Sequence, residues 1–170
     1  MKLRALALGL VLAASSFAAS AAAFTVALTP TSANHLTASF GDTPVLGNFT
    51  DVFTFTPNVT PGSNASAYFF NFALNGLGVY DPAWQILFTA ADLNGTPFNI
   101  NNSIPFTQGG VYVPSTSGPL VLTVSGISSG GSYSGVINVT LAPVPEPATY
   151  GMLGAGLALL GVVARRKRSA

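Results

Sequence analysis

Some eight short runs alternating apolar and polar residues, turn dipeptides between them, and no long amphipathic helix predict an all-β body over residues 24–143. At this spacing the runs fit a single antiparallel β-sandwich, jelly-roll-like or immunoglobulin-like. A body of about 120 residues matches one ordinary domain with enough length to bury a core. No repeat of fixed period is present, which argues against a solenoid or propeller.

In chain order the predicted strands are Phe24 to Thr29, His35 to Phe40, Asn48 to Thr56, Ala67 to Leu74, Trp84 to Thr89, Val111 to Val113, Leu120 to Ser125 and Val136 to Leu141. Period two puts Leu120, Leu122 and Val124 on one face, and likewise Ile137, Val139 and Leu141, with Asn138 and Thr140 opposite. Asn75-Gly76, Asn94-Gly95 and Gly130-Gly131 have the chemistry of tight turns, and Pro30, Pro57, Pro61, Pro82 and Pro114 punctuate run ends. Ala90-Ala91-Asp92 offers one turn of helix at most.

The run from Asn48 to Thr56 is the most distinctive. Phe49, Asp51, Phe53 and Phe55 share one face, and Thr50, Val52, Thr54 and Thr56 share the other. A carboxylate therefore points to an aromatic side. Burial there raises its pKa unless backbone amides, hydroxyls or a cation compensate, or unless it lies near the sheet end.

Cations are scarce. The formal net charge is +1, yet the six basic residues are Lys2, Arg4, Arg165, Arg166, Lys167 and Arg168, all close to a terminus. Asp42, Asp51, Asp81, Asp92 and Glu146 lie between them, so the body is anionic. Phosphate binding depends on Lys and Arg, which excludes a nucleic-acid role. There is no cysteine, so disulfides, thiolate metal sites and cysteine nucleophiles are absent.

The two ends carry targeting chemistry. Met1-Lys-Leu-Arg4 is basic, Ala5 to Ala19 is apolar, and Ala21-Ala22-Ala23 supplies small residues for signal peptidase, so residues 1–23 read as a signal peptide cut before Phe24. Residues 144–170 begin with Val144-Pro145-Glu146-Pro147, continue through an uncharged run at about 150–164, and close on Arg165, Arg166, Lys167 and Arg168. Pro145 and Pro147 favour an extended, accessible stretch, and the basic cluster suits a cytoplasmic stop-transfer position. At about 1.5 Å per residue, the run from Tyr150 to Ala164 spans a hydrocarbon core about 30 Å thick only marginally.

Val144 to Pro147, a gap of two residues, the Gly-rich uncharged run and the terminal basic cluster, four ordered parts, resemble the PEP-CTERM sorting signal of Gram-negative bacteria. The resemblance implies recognition by an exosortase in the inner membrane, transient anchoring through a transmembrane helix, removal of the tail, and delivery to the cell surface or extracellular matrix. It also implies association with exopolysaccharide or biofilm. Phe49-x-Asp51-x-Phe53, together with Gly131-Ser-Tyr133-Ser-Gly135, resembles the FxDxF group of such proteins, a likeness that implies no activity. Asp51 reads as structural rather than as a calcium ligand, because no Asp cluster stands near it in sequence.

Catalytic constellations are weak. Gly126-Ile-Ser128-Ser-Gly130 fits the nucleophile-elbow pattern, but no His follows it and the single histidine, His35, lies upstream. One His without a second nitrogen or sulfur ligand makes a poor metal site. Paired carboxylates for sugar hydrolysis would have to come from the four aspartates, and no cofactor is implied. The sequence thus favours an exported, non-enzymatic surface or matrix protein. The alternative is a carbohydrate-binding module using Tyr68, Tyr80, Trp84, Tyr112 or Tyr133.

Overall fold

A computed structural model describes residues 20–44, 46–143 and 147–168. Its strands are β1 (Ser20–Ala27), β2 (Thr29–Ser32), β3 (His35–Asp42), β4 (Gly47–Phe72), β5 (Ile86–Leu93), β6 (Thr96–Pro97), β7 (Asn99–Ser103), β8 (Phe106–Ser128) and β9 (Tyr133–Thr140). They form one sheet in the order β2-β3-β9-β4-β8-β5-β6, with β1 joined to β4 and β7 to β8. Every pairing is antiparallel except that of β1 with β4, which is parallel.

The long strands β4 and β8 are the spine. They pair from Gly47↔Ser128 to Phe55↔Leu120 and again from Ala65↔Val113 to Phe72↔Phe106, with register shifts between. Pro57, Pro61 and Gly62 fall in the shifted part of β4, and Pro114, Gly118 and Pro119 in that of β8. Prolines donate no ladder bond, and Gly62 and Gly118 adopt positive φ (83° and 75°), so the ribbon turns there without breaking. Before the shift it is flanked by β1 and β5; after it, by β9 and β7.

Inner side chains from both halves meet in one core. Phe53 of the first half lies 5.2 Å from Phe40 of β3, and Phe69 of the second lies 4.5 Å from Phe88 of β5. Burying each such ring contributes about 1.5–3 kcal/mol.

Several sequence expectations change at this point. Asn48 to Thr56 and Ala67 to Phe72 belong to one strand, which ends two residues short of the predicted Leu74, and Val111 to Val113 and Leu120 to Ser125 belong to another, because the intervening prolines bend the strands instead of ending them. Ala90-Ala91-Asp92 is extended within β5, and Trp84 closes a short 3-10 turn, Pro82–Trp84, capped by Asp81. The polar strand β7 was not anticipated. Asn94-Gly95 does turn β5 into β6, with both residues at positive φ (49° and 79°).

At the N-terminal end, β1 starts at Ser20, so Ser20 to Ala23 run in register with Phe49 to Val52. The rest of the leader, residues 1–19, lies outside the described residues. At the other end, α1 (Pro147–Arg168) contains the whole of 150–164. No helix among the described residues is long and apolar enough to cross a membrane, which corrects the expected transmembrane helix. The uncharged run is only about 22 Å long at helical rise, and Gly151, Gly154, Gly156 and Gly161 dilute its apolar surface. Val144, Pro145 and Glu146 lie outside the described residues. Pro147 opens α1, Arg165 is exposed near its end, and Arg166, Lys167 and Arg168 complete it.

Candidate buried carboxylate site

Alternation along β4 turns Phe49, Asp51, Phe53 and Phe55 inward, as the sequence predicts; Asp51 is 1 % exposed. Its partner comes from far along the chain. The Tyr133 hydroxyl, at the start of β9, donates to Asp51 Oδ2 at 2.6 Å. The two motif segments, Phe49-x-Asp51-x-Phe53 and Gly131 to Gly135, thus meet in space through their central polar residues.

The Tyr133 ring is enclosed by the rings of Phe49, Phe53, Phe69 and Phe88, with centroids 5.9, 6.4, 6.3 and 5.6 Å away. Glycines allow the fit. A Cβ on Gly131 would stand 2.0 Å from the Trp84 carbonyl oxygen, and one on Gly135 would stand 2.4 Å from the Phe40 ring.

Burial pushes the Asp51 carboxyl up from its ordinary range; the Tyr133 bond opposes this, the Asp42 charge adds to it, and the backbone N–H of Ala22 opposes it. Tyr133 is itself driven well above the usual phenol range, first by burial and then by Asp51, so its hydroxyl keeps its proton at any ordinary pH. Asp42 is the one other acid whose charge is felt by both members of the pair among the described residues. Beside the pair, a cleft of about 800 Å³ opens between β1 and β3, reaching Ala23, Phe24, Asp42, Phe53 and Tyr133.

A second buried polar group, Asn71, was missed from sequence. Its amide donates to the Trp84 and Ser132 carbonyls at 3.0 and 2.8 Å, and its carbonyl accepts from Ile86 N–H at 3.0 Å. It pins the β4–β5 connection to the turn before Tyr133. A polar residue in phase with Ala67, Phe69 and Ala73 was the available signal.

The remaining candidates stay apart. The buried Ser128 hydroxyl donates to the Pro44 carbonyl at 3.3 Å and accepts from Gly130 N–H at 3.0 Å. His35 is exposed and its Nδ1 contacts the Thr140 hydroxyl at 3.1 Å, so the two do not form a couple. Asp81 caps the 3-10 turn through Ala83 N–H, and Asp92 accepts from Gly95 N–H. Among the described residues no group of three or more His, Asp or Glu could hold a metal ion.

On the outer side of the sheet, β4 presents Tyr68, Phe70 and Phe72 in alternation, and β8 presents Phe106 and Tyr112. The Phe72 ring lies tilted against Phe106 at 4.7 Å and edge-on to Phe70 at 5.2 Å between centroids, while Phe72 and Tyr112 are 53 % and 61 % exposed. A cleft of about 240 Å³ beside this row is lined by Tyr68, Asn99, Asn101, Gln108, Gly109 and Gly110, and the Tyr68 hydroxyl donates to Gln108 Oε1.

A model of the PEP-CTERM protein-sorting motif matches residues 143–168. That motif implies exosortase-dependent sorting of an exported protein to the surface of a Gram-negative cell. No curated protein and no solved structure matches the chain.

Proposed function

We propose that this chain is a non-enzymatic surface or matrix protein whose tail is cut by an exosortase and whose β body then associates with exopolysaccharide. The match of the sorting motif to residues 143–168 carries the reading. A sheet bent through its two longest strands supports a sandwich, jelly-roll-like or immunoglobulin-like. The contact between Asp51 and Tyr133 supports membership of the FxDxF group, with a structural role for the pair. Signal peptidase removes the leader, and α1 leaves with the tail when the exosortase cuts.

Replacing Pro145, Glu146 and Pro147 together by alanine tests the sorting step. The native chain should be recovered outside the inner membrane with α1 missing by intact mass. The variant should keep Arg165 to Arg168 and fail to reach the cell surface. A native chain that also keeps its full tail would overturn the reading.

The outer aromatic row favours a second function, binding of a neutral glycan. Aromatic faces stack on sugar rings, and the neighbouring amides of Asn99, Asn101 and Gln108 can bond hydroxyls. This part of the face has no charged residue, and the body has no Lys or Arg to meet an anionic polymer. Retention on a neutral polysaccharide should fall several-fold in Tyr68→Ala and Tyr112→Ala, with the melting temperature nearly unchanged. Equal retention by all three proteins would leave the body a passive matrix component.

A further inference from the structure

The Asp51 carboxylate is buried in a body without Lys or Arg, held by one tyrosine hydroxyl and repelled by Asp42. The element beside it is β1, where Ala22 is the register partner of Asp51. Ala22, Phe24 and Val26 are the half-buried positions of that strand, and the register places the Ala22 backbone nitrogen beside Asp51. This nitrogen sits within the stretch where the leader offers its small residues. Ala19-Ser20-Ala21 satisfies the small-x-small requirement as well as Ala21-Ala22-Ala23 does.

The two cuts have opposite consequences. Hydrolysis after Ala23 removes Ala22 altogether and strips β1 from its place beside Phe49 to Val52. Hydrolysis of the Ala21–Ala22 bond adds one water, leaves a carboxylate on Ala21, and turns the Ala22 nitrogen into an α-ammonium on the residue paired with Asp51. We infer that the leader is cut between Ala21 and Ala22, and that the ammonium so released becomes the counter-ion of the buried Asp51. This rests on the signal-peptide reading. The cleft at Ala23, Phe24 and Asp42 leaves the cut end open to water on one side. Removal of the leader then supplies the one positive charge that the body lacks, so that export and final stability are linked through Asp51.

The chain exported by a Gram-negative host gives the first test, with mass spectrometry of its N-terminal peptide. Ala22 is the expected first residue. Phe24 or Ala19 in its place would overturn the inference while leaving the leader reading intact, whereas a chain that still begins at Met1 would defeat both. The second test is the rate of acetylation of the N-terminal amine at neutral pH. It should be at least tenfold slower in the native exported protein than in Asp51→Asn. Tyr133→Phe, which keeps the carboxylate, should retain the slow rate even if Asp51→Asn folds poorly. A native rate equal to that of an unstructured peptide with the same first residues would overturn the ion pair.

Discussion

Phe69→Ala is expected to lower the free energy of unfolding by about 3–5 kcal/mol, the usual range for deleting a fully buried aromatic ring. Phe69 is 0 % exposed, and its ring touches Phe88, Phe98 and Tyr133 at centroid distances of 4.5, 5.1 and 6.3 Å. Gly109, its register partner on β8, leaves the ring lying directly on the strand, since a Cβ there would stand 2.5 Å from it. Removal of the ring therefore opens a void whose walls belong to β5, β8 and β9, and these cannot close without moving the spine. A domain of this size is stable by only about 5–15 kcal/mol, so the loss is a large fraction of the total. Urea titration should show the midpoint falling with an unchanged slope, and Phe69→Leu should recover part of the difference.

How far the sequence reached depends on the range of the signal. The face assignment in Asn48 to Thr56 is local, set by the period of the strand, and it places Asp51 inside correctly. The need for a compensating hydrogen bond follows from the same fact, because a buried carboxylate without a partner is too costly. That the donor is Tyr133, 82 residues away, depends on how β9 pairs with β4, and no local pattern records it. The continuity of β4 and β8 was hidden by Pro57, Pro61 and Pro114. In isolation these end a strand, but two strands that shift register together can carry them through a bend. The polar β7 lacks alternation and forms because β8 offers it a free edge. The parallel β1 was read partly as leader, since the composition of Ser20 to Ala23 suits a cleavage site and a strand equally.

Tyr133→Ala is the second large effect. It loses a ring packed among four phenylalanines, about 3–5 kcal/mol, and leaves the Asp51 carboxylate without its hydroxyl donor, about 1–3 kcal/mol more. Tyr133→Phe isolates the second part and adds a pH signature. In a chain with residues still attached before Ala22, burial holds Asp51 above its unfolded value of about 3.9, so the native state binds the extra proton between the two values. Stability in that window falls as pH rises. Loss of the Tyr133 bond raises the folded value further, so Tyr133→Phe should cost little in acid and progressively more as pH rises through the raised value. Once Ala22 bears an ammonium, the opposite charge favours ionised Asp51, and the window narrows. The ammonium is in turn held above its ordinary value of about 7.7–8.0, so its contribution is complete below that range and is lost as pH rises through the raised value. Thermal melts of the two forms across pH 4 to 10 should therefore diverge most near neutrality, with the cut form the more stable, and converge in alkali. Parallel curves would mean that the cut brings no charge to Asp51.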